Sequence, residues 1–372
     1  MIRIGIVAGV LHSGGKRNLI MEFYRHIDRS KVQFDFICDS NSNGIPYDEI
    51  TSLGGRVYLV PPYKNLFPHL RATYKVFKEN RYPIVHAFDN TLNFFPMLVA
   101  RLAGVNVRIS ESISKGDKNE KKTKLKLVLR RFSHCFVTDY MANSIDCGKW
   151  QFGSKTYQQG KINIFKTVIN ATDNVFNPEL RKSTRSAYGW DDKVVYGFIG
   201  RYVEQKNPLF LIDIFNEIAK RQPNAILVMI GFGELEKEMM TKISGYGIGD
   251  RVENLGRRDD IKQFYNSFDA FLLPSLYEGM PVVGVEAQCC GLPIFFSKNI
   301  TTETTACHLA HYLGLDDSPE KWAEAIIPVV DSNISVRRSY SDEIISAGFD
   351  SASEAFRLQN FYIQKFRKNG SN

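Results

Sequence analysis

The chain has 372 residues, 44% of them apolar and 24% charged, which is too long for one ordinary hydrophobic core and favours two domains of common size. No apolar stretch is long enough to span a bilayer. The six cysteines (Cys38, Cys135, Cys147, Cys289, Cys290, Cys307) form no Cys-x-x-Cys pair and no cluster with histidine, so a zinc site and a secreted disulfide framework are both disfavoured and a reducing cytosol fits. A formal charge of +8 points to an anionic partner, with nucleotide phosphates, an acidic membrane surface and nucleic acid all open at this level.

The first ten residues resemble a short signal core, but they lack a basic leader and a cleavage site and run into a glycine-rich loop, so they read as a buried first strand. Ile2-Val7, Gln33-Ile37, Arg56-Val60, Ile84-His86, Val107-Ile109 and Cys135-Thr138 then read as strands, with helical patterns between most of them. After a stretch poor in periodicity, Pro178 to Asp192, a second series comprises Val194-Ile199, Ile226-Ile230, Val252-Leu255, Ala270-Leu273 and Ile294-Phe296. Such alternation predicts α/β architecture with two Rossmann-like domains in tandem. The expected division is 1–177, a linker 178–192, a second domain 193–350, and a C-terminal helix and tail 351–372 that either pads the second domain or crosses back to the first.

Ligands of open parallel sheets bind beyond the carboxyl ends of strands, so the loops there carry the search. The first, Ala8 to Asn18, places Gly14 and Gly15 directly before a helical pattern, where backbone amides can approach phosphate. The second, Gly200 to Pro208, sets Arg201 and Lys206 ahead of a proline suited to a first helical turn, as a pyrophosphate clamp requires. In the third, Glu278-Gly279-Met280 leads into Pro281, which is well placed to open a helix that runs through Val282 and carries Glu286 among Val, Ala and Cys residues. An ionised carboxylate in such company needs hydrogen-bond donors, and a ribose diol supplies two. Gly291-Leu292-Pro293 then ends the helix.

Glu278 and Glu286 match the Glu-x7-Glu signature of the retaining family-4 glycosyltransferases, whose GT-B fold sets two Rossmann-like domains facing across a cleft. Gly200-Arg201 through Lys206-Asn207 resembles that family's Gly-Arg-x4-Lys-Asn segment, and Asn170-Ala171-Thr172-Asp173 its Asn-Gly-Ile-Asp loop. Arg108-Ile109-Ser110, after Ala103-Gly104-Val105, is similar to bacterial capsule and exopolysaccharide members. The resemblance implies a nucleotide-diphosphate sugar as donor, a UDP-sugar foremost, with no other cofactor, and a glycan or lipid-linked glycan hydroxyl as acceptor. Arg201 and Lys206 would neutralise the leaving pyrophosphate, Glu278 and the Gly279-to-Val282 segment would hold the donor sugar, Glu286 the ribose, and Gly14-Gly15 would close over the phosphates. No Asp-x-Asp occurs, so a metal-independent reaction is expected.

His86 ends a strand where family members often carry an acceptor-side histidine, and it joins the catalytic set on that ground. Glu111 stands where relatives often have a histidine after the Arg-Ile-x run; it and Lys115 are acceptor-side candidates, with pairing to a nearby lysine the other reading of Glu111. Lys115 to Arg131 carries eight Lys and Arg among apolar residues, which suits peripheral contact with an anionic membrane, such as the inner face of the plasma membrane, or an ordinary solvated helix face. Nucleic acid is disfavoured because aromatic stacking residues are scarce in that run. The competing functions are a nucleotide-sugar epimerase of similar fold and an inactive scaffold acting as a binding subunit.

Overall fold

The computed structural model describes residues 1–12, 14–114 and 123–370. Contacts divide it into two compact units, Met1–Val168 with Asp350–Asn372, and Ile169–Phe349.

In the first unit the strands are β1 (Ile2–Gly9), β2 (Val32–Asp39), β3 (Arg56–Val60), β4 (Ile84–Ala87), β5 (Val107–Ser112), β6 (Asp139–Ala142) and β7 (Ile162–Ile164). They pair in parallel in the order β3-β2-β1-β4-β5-β6-β7. Parallel strands need crossover connections, and helices α1 (Gly15–His26), α2 (Tyr47–Ser52), α3 (Leu66–Asn80), α4 (Phe94–Leu102), α5 (Thr123–Arg131), α6 (Ile145–Phe152) and α7 (Ser154–Gln158) provide them. Buried strand residues such as Ile4, Ile6, Phe34 and Phe36 pack against Leu19, Phe23 and Tyr24 of α1.

The second unit holds α8 (Pro178–Tyr188), β8 (Val194–Ile199), α9 (Pro208–Arg221), β9 (Ala225–Ile230), α10 (Glu236–Tyr246), β10 (Val252–Asn254), α11 (Ile261–Ser267), β11 (Ala270–Leu273), α12 (Val282–Cys289), β12 (Ile294–Ser297), β13 (Ala310–Leu313), α13 (Pro319–Asn333) and α14 (Ser341–Ser346). Its parallel sheet runs β10-β9-β8-β11-β12-β13. Each sheet therefore reverses strand order once, between β1 and β4 in the first unit and between β8 and β11 in the second. A crevice opens at such a reversal because the crossovers on either side leave toward opposite faces.

Several expectations shift. Residues 178–192 are no linker: Asn177 caps α8 through its side-chain oxygen, Pro178 takes the first turn, and Gly189 ends the helix with φ +69°. α8 escapes a periodicity search because it is held by arginines rather than an apolar stripe. The segment Cys135-Thr138 is a turn, with Phe136 at φ +67°, and the strand follows at β6; β7 and β13 went unread because they are short and only partly apolar. The terminal helix α15 (Ser351–Gly370) belongs to the first unit, where Ala355, Leu358 and Tyr362 enter the core with Ile4 and Phe34.

Candidate active site

At the reversal point of the second sheet, the loops after β8 and β11 are laced together. Lys206 Nζ lies 2.5 Å from Glu278 Oε1, with the two side chains 15% and 8% exposed. Gln205 Nε2 donates to the Tyr277 carbonyl at 3.1 Å and reaches Glu278 Oε2 at 3.5 Å, while Leu276 N donates to the Gln205 carbonyl at 2.8 Å. Asn207, in the left-handed region at φ +53°, turns the chain into α9, and its amide donates to the Pro274 carbonyl. Lys206 and Glu278, 72 residues apart, are thus fixed as a half-buried ion pair. Arg201 is exposed, and among the described residues its guanidinium has no hydrogen-bond or ion-pair partner.

A third loop walls this crevice. A side-chain carbon at Gly231 would lie 1.8 Å from the Gly200 carbonyl oxygen, and one at Gly233 would lie 2.3 Å from that of Tyr202. Only glycine permits the approach, which Tyr202 N sealing onto the Phe232 carbonyl at 2.9 Å completes. Sequence reading missed this pair, although Gly-x-Gly directly after the strand Ile226-Ile230 was the available signal.

Glu286 sits five residues into α12, half-buried, and accepts a hydrogen bond from the Tyr265 hydroxyl at 2.7 Å. Burial, with Glu286 adding, drives the Tyr265 phenol well above its ordinary range, so it remains a donor. Tyr265 was also missed; it belongs to α11, and no local pattern links it to Glu286. The helix opens one residue later than expected, at Val282, with Pro281 extended at the N-cap and Gly279 half-buried before it. The Met280 side chain is not available for a donor. It is buried with Ile169, Ala171, Val285 and Cys289, and Val282 packs against the same cluster, so these two residues offer backbone to the crevice and anchor it with their side chains. The Asn170 loop lies in this cluster, and its side-chain oxygen accepts from Thr172 and Asp173.

In the first unit, Gly14 and Gly15 are exposed at the start of α1, and a side-chain carbon at either would meet nothing within 4 Å. His86 and Glu111, by contrast, are interior. His86 is fully buried, its Nδ1 accepting or donating at 2.8 Å to the Tyr362 hydroxyl and its Nε2 lying 2.9 Å from Glu111 Oε2. The latter contact is close but out of hydrogen-bond alignment, since Nε2 counts as unbonded. The triad ties α15 to β4 and β5, which corrects the expectation that His86 and Glu111 line an acceptor surface: in this conformation neither is open to a substrate. Tyr362→Phe should lower stability by about 1–2 kcal/mol, because it strips a buried partner from His86. A denaturant titration reads that loss. Lys115 lies outside the described residues.

Two doubly wound parallel units, the second with a cation-lined and glycine-walled crevice at its reversal point, define the GT-B class of fold. A solved structure of Anabaena Alr3699/HepE in complex with UDP-glucose superimposes with a TM-score of 0.78, at 17% identity, covering 98% of this chain and 100% of that one. Residues 181–345 match the family described as glycosyl transferases group 1. The chain is 32% identical to the putative glycosyltransferase EpsF of Bacillus subtilis (strain 168), over 97% of this chain and 96% of that protein. It is 26% identical to the UDP-Gal:alpha-D-GlcNAc-diphosphoundecaprenol alpha-1,3-galactosyltransferase of Escherichia coli, over 77% of each. The protein belongs to the group 1 glycosyltransferase family.

Proposed function

We propose that the protein moves a sugar from a UDP-sugar to a hydroxyl of a glycan or lipid-linked glycan, with retention and without a metal ion, in the synthesis of a bacterial surface polysaccharide. The observation that carries this reading is the Lys206–Glu278 pair across the reversal point between β8 and β11, with exposed Arg201 in the same loop after β8 as Lys206. Lys206 and Arg201 supply the positive charge that a departing nucleoside diphosphate needs, so the transfer rests on position and electrostatics. Glu278 and the backbone from Gly279 to Val282 hold the sugar, and Glu286, oriented by Tyr265, takes the ribose hydroxyls. The UDP-glucose complex of the Anabaena protein and the named substrates of the Escherichia coli relative support the donor and acceptor classes.

Peripheral membrane contact is part of this reading. Among the described residues no helix is long and apolar enough to cross a membrane, while Leu127, Val128 and Phe132 are exposed beside Arg130 and Arg131. A product assay with UDP-sugars and a polyprenyl-diphosphate-linked sugar tests the function: UDP release that requires the acceptor is expected. A free sugar isomer formed without acceptor would make the protein an epimerase, and no turnover with any donor would make it a binding scaffold.

A further inference from the structure

Phe232, between the two wall glycines, is 54% exposed, and among the described residues its ring joins no hydrophobic cluster and stacks on no other ring. On a loose loop such a side chain would be ordinary. This loop is held from both sides. Gly231 N donates to the Gly256 carbonyl at 2.9 Å, tying it to the loop after β10, and Tyr202 N donates to the Phe232 carbonyl at 2.9 Å, tying it to the loop after β8. Leu235 N closes the turn on the Tyr202 carbonyl at 3.0 Å. Below, the buried Tyr202 gives its hydroxyl to Asn254 Oδ1 at 2.8 Å, and Gly256 N donates to the same oxygen at 3.1 Å.

Two close approaches register Phe232 against Arg201. Gly231 is pressed on Gly200 and Gly233 on Tyr202, so the residue between the glycines lies alongside the turn that carries Arg201. Along the carboxyl edge the loops then follow the strand order, with Gly256 after β10, Phe232 after β9, Arg201 and Lys206 after β8 and Glu278 after β11, on strands spaced about 4.8 Å apart. A nucleotide sugar has the same linear order of nucleoside, diphosphate and sugar. With its sugar at Glu278 and its diphosphate at Arg201 and Lys206, the nucleoside extends toward β9 and β10. Glu286 and its partner Tyr265 agree with that side, since Tyr265 belongs to α11, the connection from β10 to β11.

We propose that Phe232 is a stacking surface for the base of the donor nucleotide, an assignment that rests on the glycosyltransferase reading and adds a residue from outside the two loops on which that reading stands. The chemistry of the ring selects this part of the donor. A phenyl face is electron-rich and disfavours a phosphate, and it offers the hydroxyl groups of a sugar no hydrogen bond. A nucleobase is planar with a π-face on each side, and covering one with an aromatic ring takes both surfaces out of water. The stack costs little order, because the backbone of Phe232 is already fixed and only two side-chain torsions remain to be set. Every base has such a face, so Phe232 contributes affinity for the nucleoside and leaves the choice of base to other groups.

Calorimetry on the full chain tests it, with UDP, UDP-glucose and inorganic pyrophosphate as ligands. Phe232→Ala should weaken UDP about tenfold, as the loss of one base stack does, and weaken UDP-glucose by the same factor, while pyrophosphate affinity and melting temperature hold. Phe232→Trp should keep UDP affinity and add an indole whose fluorescence UDP quenches and pyrophosphate does not. UDP affinity indifferent to the alanine, or an equal loss for pyrophosphate, overturns the stack; a loss confined to UDP-glucose overturns the base assignment and moves the ring to the sugar. The parent chain reports on the proposed function separately: binding of neither UDP nor UDP-glucose would count against that function and remove the stack with it.

Discussion

Lys206→Ala is expected to lower kcat by about 10²- to 10³-fold, the cost found when one preorganised donor to developing negative charge is removed. The ammonium is held half-buried by Glu278, so it needs no reorganisation when a diphosphate begins to leave. Two consequences separate this from general damage. Lys206→Arg keeps the charge but replaces a compact ammonium with a planar fork, so it should recover only part of the rate. Without Lys206, the partner left to Glu278 among the described residues is Gln205 Nε2 at 3.5 Å, and Glu278→Gln in the Lys206→Ala background should therefore restore melting temperature without restoring turnover. Steady-state rates of UDP release, beside thermal melts, read both. A Lys206→Ala enzyme with unaltered kcat would remove Lys206 from the chemistry.

How much of this was readable beforehand differs between backbone and side chains. β8 and β11 were located to the residue, because each is a short run of buried apolar residues bounded by turn formers. Once such strands are placed, the loops after them follow, and Arg201, Lys206, Glu278 and Glu286 are found at the carboxyl edge of the second sheet. Tyr265 and Gln205 were not found. Each acts through a partner distant in sequence, 21 residues away for Tyr265 and 73 for Gln205 and Glu278, and such pairing exists only after the sheet has assembled.

His86 and Glu111 show the reverse error. Register places His86 opposite Ile109 on β5, two residues before Glu111, so their proximity follows from parallel pairing. The burying element does not, for it is Tyr362, 276 residues onward in α15. A histidine at a strand end looks accessible until the chain's last helix covers it.

The same limit hid the group that should matter most to stability. Asp269→Ala is expected to cost about 3–5 kcal/mol, because it leaves buried cations without their counter-charge. Asp269 is 3% exposed and takes Arg181 on one oxygen and Arg185, at 3.1 Å, on the other, which also accepts from Val195 N at 2.8 Å. Arg337 joins the cluster through the Phe268 carbonyl at 2.6 Å and the Tyr265 carbonyl at 2.7 Å, and burial, with Arg181 adding, pulls its guanidinium down to about 9. The arginines also saturate the carbonyls of Asn266, Ser267 and Phe268, so the end of α11 is fixed by cations that depend on this one carboxylate. Asp269→Asn keeps an acceptor for Val195 N and should lose less than alanine, though still more than a surface substitution. Urea titration measures the difference. Because α11 also carries Tyr265, the alanine variant should bind UDP more weakly even where it remains folded, and intact affinity at that point would show that Glu286 keeps its orientation without the cluster.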